Sequence, residues 1–107
     1  MYVADGGNRR VQVFDAAGRF VASWQGGDER FVRPSAVAWD EKGYVLVLDS
    51  GTGWIRRFTD DGRFLGEFGG PEAGFLCPCW LAVSEAGQIY VLDSGNNRVQ
   101  VLEPIAR

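Results

Sequence analysis

The residues best equipped for chemistry are few, and they fall at two kinds of place. Cys77-Pro78-Cys79 sets two thiols one residue apart, followed at once by Trp80. Thiolates take soft metals or undergo redox exchange. A Cys-x-Cys pair closes only a very small, strained disulfide ring, and alone it supplies too few ligands for a structural zinc site. The plain alternative is two small residues in a tight, partly buried turn. The second kind is an Asp followed five residues later by an Arg: Asp5 with Arg10, and Asp93 with Arg98. Such a pair can hold a ligand or pin a loop through charge-assisted and Asx-type hydrogen bonds. Its recurrence favours the structural role, because ligand sites tend to be made by residues that break a repeat. The chain has no histidine. The commonest metal ligand and the commonest general base are therefore both missing. No catalytic residue, metal site or cofactor is expected.

The elements that position these residues follow from a repeat. Asp5, Asp49 and Asp93 close similar runs, Tyr2-Val3-Ala4-Asp5, Leu46-Val47-Leu48-Asp49 and Tyr90-Val91-Leu92-Asp93, at a spacing of 44 residues. The same offset maps Phe14 on Phe58 and Leu102, Gly18 on Gly62, Phe20 on Phe64, Pro34 on Pro78 and Gly43 on Gly87. Each period divides into four short apolar runs. In the middle one they are Ala36 to Trp39, Tyr44 to Leu48, Trp54 to Phe58 and Phe64 to Phe68, with Gly- and Asp-rich turns between. That is a meander of antiparallel strands. Gly18 and Gly62 precede Arg-Phe where the turn requires positive φ. Val45-Leu46-Val47-Leu48 and Ile89-Tyr90-Val91-Leu92 are apolar without alternation, which predicts strands covered on both faces. Four strands per period of this length predict an all-β fold of propeller blades.

Tyr90-Val91-Leu92-Asp93-Ser94-Gly95-Asn96-Asn97-Arg98-Val99-Gln100-Val101-Leu102 and its counterpart from Tyr2 to Phe14 resemble the NHL-repeat signature. The Asp61-Gly62-Arg63-Phe64 run and the Pro-led strands at 34 and 78 fit it too. The middle repeat departs from it, with Thr52-Gly53-Trp54 where the others carry the arginine. The resemblance implies propellers, typically six-bladed, that bind proteins, peptides, RNA or sugars, with a minority of lyase- or lactonase-like enzymes. On this reading residues 1–33 hold strands b, c and d of one blade, 34–77 a complete blade, and 78–107 strands a, b and c of a third, Pro104 falling where the last turn should form. A partial ring leaves apolar end faces and open strand edges. Two completions are open. One is a two-fold homodimer with six blades. The other is the remainder of a longer polypeptide.

The expected function is a non-catalytic binding or self-assembly module, its partner a second copy, the rest of a longer chain, or a protein or peptide ligand. Cys77, Cys79, Trp80 and Trp54 are the candidate ligand-binding residues, because they break the repeat near the central channel. Trp24 and Trp39 are expected to pack between blades. Asp28, Glu29, Asp40, Glu41, Asp60, Asp61 and Glu72 read as solvated loop residues rather than a calcium site. The arginines at 9, 10, 30, 33, 56 and 57 are interspersed with acids and the net charge is −3. A nucleic-acid partner is therefore not expected. No apolar run reaches the length of a membrane span, and the N-terminus lacks the pattern of a signal peptide. The compartment stays open.

Overall fold

The computed structural model describes residues 1–26, 30–40, 42–70, 74–75 and 77–102, and their regular structure is almost entirely β. Three antiparallel sheets follow one another along the chain. The first contains β1 (Tyr2–Asp5), β2 (Arg10–Phe14) and β3 (Phe20–Trp24) in that order. The middle sheet contains β4 (Pro34–Trp39), β5 (Val45–Asp49), β6 (Trp54–Phe58) and β7 (Phe64–Gly69). The last contains β8 (Pro78–Val83), β9 (Ile89–Asp93) and β10 (Arg98–Leu102). Every strand pairs with its neighbour in sequence, so each sheet is a simple meander. Strands β4 and β8 begin two residues before the apolar run starts. In both, a register shift follows the proline, which has no N–H to give the ladder.

The turns are built by short-range hydrogen bonds that the repeat copies. Asp15 Oδ1 accepts the N–H of Arg19 at 2.9 Å, Asp40 Oδ1 that of Tyr44 at 3.0 Å, Thr59 Oγ1 that of Arg63 at 3.0 Å and Ser84 Oγ that of Gln88 at 3.1 Å. Each turn also holds a glycine with φ between +82° and +95°, at 18, 43, 62 and 87. The side-chain acceptor and the left-handed glycine together reverse the chain without an unpaired amide.

The middle sheet is sandwiched. On one side Leu46, Leu48 and Ile55 pack against Leu81, Ile89 and Val91 of the last sheet. On the other, Val45, Val47 and Phe58 pack against Val11, Trp24 and Phe31. All five residues of β5 are consequently inaccessible to solvent, the four of the apolar run Val45–Leu48 as expected and Asp49 with them. The corresponding expectation for Ile89–Leu92 is corrected. Ile89 and Val91 are buried, but Tyr90 is half-buried and Leu92 is exposed. Among the described residues a sheet covers only one face of β9, so burial alternates there.

Strand β6 carries a second correction. Arg56 and Arg57 are buried, and the side chain of Asp40, expected in a solvated loop, is buried with them. Consecutive residues of a strand point to opposite faces, and both faces of β6 are covered. Each guanidinium meets a carboxylate and an aromatic ring. Arg57 Nε meets Asp40 Oδ2 at 3.0 Å and lies over the Tyr44 ring at 4.2 Å. Arg56 Nε is 3.3 Å from Glu67 Oε1 and lies over the Phe31 ring at 5.5 Å. The planar guanidinium serves both carboxylate and ring, a combination open to arginine rather than lysine.

Candidate functional site

Strands β4 and β8 lie side by side, and a cleft of about 450 Å³ opens where they begin. The repeat builds its walls twice. Arg33, Ser35 and Ser50 form one set, and Cys77, Cys79 and Ser94 stand 44 residues later, with Pro78 between the two cysteines. Each serine hydroxyl is anchored to backbone. Ser50 Oγ donates to the carbonyl of Arg33 at 3.1 Å, Ser94 Oγ to that of Cys77 at 2.7 Å, and Ser35 Oγ to that of Leu48 at 3.4 Å. With the protons committed to the protein, the hydroxyls offer lone pairs to the cleft.

Both cysteines are free and exposed. Cys77 has φ +54°, a left-handed conformation that a side-chain-bearing residue adopts at a cost. Proline follows it directly, and Cys79 falls at the register shift between Pro78 and Trp80. The turn and the bulge thus bring both thiols to one cleft. Among the described residues, Arg33 is the one lining the cleft that carries a formal charge.

The other two candidate residues lie elsewhere. Trp54 opens β6 opposite Asp49 and Gly69, and its ring covers Gly70, where a Cβ would come within 2.7 Å of it. It is a packing residue at the far side of the turn. Trp80 is 53% exposed and pairs across the ladder with Leu92, which pairs in turn with Val99. These three, with Val101, form an apolar surface on the last sheet, separate from the cleft. Of the remaining tryptophans, Trp24 is buried on Phe58, whereas Trp39 is 49% exposed and meets the ring of Tyr2 edge-on. Sequence reasoning singled out the thiols but passed over Ser50 and Ser94. Their signal is present in the repeat: each directly follows the aspartate that ends the second strand of its period.

The aspartates themselves form latches. Asp5 Oδ2 receives Arg10 Nε at 3.0 Å and also Asn8 and Gln12. Asp93 Oδ2 receives Arg98 Nε at 3.1 Å, together with Asn96 and Gln100. The Asn8 amide and then the Arg10 guanidinium hold the Asp5 carboxyl below the usual aspartate range. In the middle period, which has Trp54 instead of arginine, Asp49 turns to backbone. It accepts the N–H groups of Val32, Arg33 and Gly51 at 2.9, 2.8 and 3.1 Å. These carboxylates are consumed by structure.

Asp60 and Asp61 lie exposed in the turn between β6 and β7, whereas Asp28, Glu29, Glu41 and Glu72 fall outside the described residues. Among the described residues no three His, Cys, Asp or Glu side chains are grouped to hold a metal. No described helix is long and apolar enough to cross a membrane.

Residues 75–102 match the family model described as NHL repeat. The matched segment holds β8, β9 and β10, and with them the two thiols, the Asp93–Arg98 latch and the Trp80 face. No curated protein matches the chain. That segment thus carries an NHL repeat, and the same signature recurs in the sequence at Tyr2–Phe14.

Proposed function

We propose that the chain is a non-catalytic assembly module of the β-propeller type, and that its end sheets are covered by blades of a second copy. One observation carries the reading. Ala36, Leu48 and Ile55 of the middle sheet are buried beneath the last sheet, at 9%, 0% and 0% exposure. The residues 44 positions later, Trp80, Leu92 and Val99, are 53%, 36% and 55% exposed. The repeat that builds a blade-to-blade contact inside the chain presents its next copy to solvent, enlarged at one position from alanine to tryptophan. The first sheet does the same on its far side. Val3 is 41% exposed, while Val47 at the same place in the period is fully buried. Apolar faces of this kind mark association sites. Three hairpins per chain make a two-fold pair the simplest route to six blades. The lack of histidine supports a module without chemistry of its own.

Light scattering on a size-exclusion column tests the reading. The expected mass is twice the 11.8 kDa of the chain, and Leu92→Glu and Val99→Glu should each return it to one chain. A folded monomer at high concentration would overturn self-assembly and leave blades from the same polypeptide as the covering partner.

A further inference from the structure

We infer that Cys77 and Cys79 form a two-thiolate site for a soft d10 cation, of which monovalent copper is the representative. The inference is independent of how the end sheets are covered. Both thiols are free, exposed and on the wall of one cleft. The serine hydroxyls around them give their protons to backbone carbonyls, so the cleft presents sulfur and oxygen lone pairs. This donor set suits a cation better than an anion. The number and softness of the donors choose among cations. Zinc in a structural site takes four ligands and calcium six or more oxygens, and no such grouping exists among the described residues. Two thiolates do satisfy a monovalent d10 ion, which accepts low coordination and prefers sulfur.

The charge count fits as well. Binding releases one proton from each thiol to solvent. Two thiolates and one monovalent cation leave a single negative charge, and Arg33, which also lines the cleft, carries the opposite one. The repeat shows what is particular to this place. In the preceding period the positions of Cys77 and Cys79 are Arg33 and Ser35. Arg33 has an ordinary negative φ, whereas Cys77 is held at φ +54°. The chain thus departs from its own repeat in residue type twice and in backbone once, all at the thiol pair.

The test is a titration of the full-length reduced chain with monovalent copper under anaerobic conditions, buffered by a chromogenic copper(I) chelator. One copper per chain is expected, with an ultraviolet thiolate-to-copper charge-transfer band and quenching of the adjacent Trp80. Cys79→Ser installs the residue of the preceding period, and Cys77→Asn suits a left-handed backbone, so both variants should keep the fold by circular dichroism. Each should lose the charge-transfer band. Arg33→Ala should keep the band and weaken binding by about tenfold, as removal of an outer partner does. Retention of full binding by either cysteine variant would overturn the site. So would one copper per two chains, or displacement of copper by equimolar zinc.

Discussion

Asp49 Oδ1 accepts the backbone N–H of Arg33 at 2.8 Å, across 16 residues of chain. The same oxygen takes the N–H of Gly51, and its partner oxygen that of Val32. One fully buried carboxylate therefore ties the strand entering the middle sheet to the turn leaving β5. Asp49→Ala strands three amides and should cost about 3 kcal/mol, with Asp49→Asn costing less because one oxygen remains. Urea denaturation of both variants measures this. A shift in Asp49→Ala of less than about 0.5 kcal/mol, the scale of ordinary surface changes, would show that water replaces the carboxylate.

The Asp40–Arg57 pair should behave as a coupled unit. Both side chains are more than nine-tenths buried. Removing one partner leaves the other charge uncompensated, so Asp40→Ser or Arg57→Val alone should cost about 3 kcal/mol. The period supplies the natural replacements, since Ser84 and Val101 stand at these positions in the last sheet. The double variant should be less destabilised than the sum by about 2 kcal/mol. Strict additivity in the mutant cycle would mean the two groups are independently solvated.

Gly18 and Gly62 occupy one position of the period, and both have positive φ, +82° and +95°. A Cβ on Gly18 meets nothing within 4 Å, whereas on Gly62 it would lie 2.5 Å from Trp24 Nε1. Gly18→Ala should therefore cost about 1 kcal/mol, the backbone contribution alone. Gly62→Ala adds a clash with a buried ring between sheets and should cost about 1–3 kcal/mol more. Equal thermal shifts in the two variants would show that the first and middle sheets do not pack through Trp24.

Acid should weaken the fold through turn aspartates. The Asp5 carboxyl is lowered chiefly by the Asn8 amide, that of Asp15 by the backbone N–H of Arg19, and that of Asp61 by the Thr59 hydroxyl. A carboxyl whose pKa is lower in the folded chain contributes stability above its unfolded value, here 3.8, and loses it as pH falls through the folded value. The urea midpoint should therefore be level near neutrality and decline from about pH 4 downward. Asn8→Ala should raise the Asp5 pKa in a carboxyl NMR titration. A midpoint indifferent to pH well below 3.8 would remove these turns from the account.

Two scales of interaction divide what was legible in the residue string from what was not. The period of 44, the four strands within it and the left-handed glycines of the turns were readable, because strand alternation and turn hydrogen bonds join residues within a few positions of one another. The Asp5–Arg10 and Asp93–Arg98 latches, five residues apart, were readable for the same reason. Other features depend on what lies across a sheet. Arg56, Arg57 and Asp40 carry the composition of surface residues and are buried because both faces of β6 are covered. Leu92 carries the composition of a core residue and is exposed because, among the described residues, nothing covers one face of β9. The cleft belongs to this second class too. Cys77 and Cys79 were conspicuous by type, but their company of Arg33, Ser50 and Ser94 arises only when β4 and β8 come to lie together. Burial and convergence are properties of neighbouring sheets, and a repeat that spells each sheet alike leaves to packing the decision of which copy is covered.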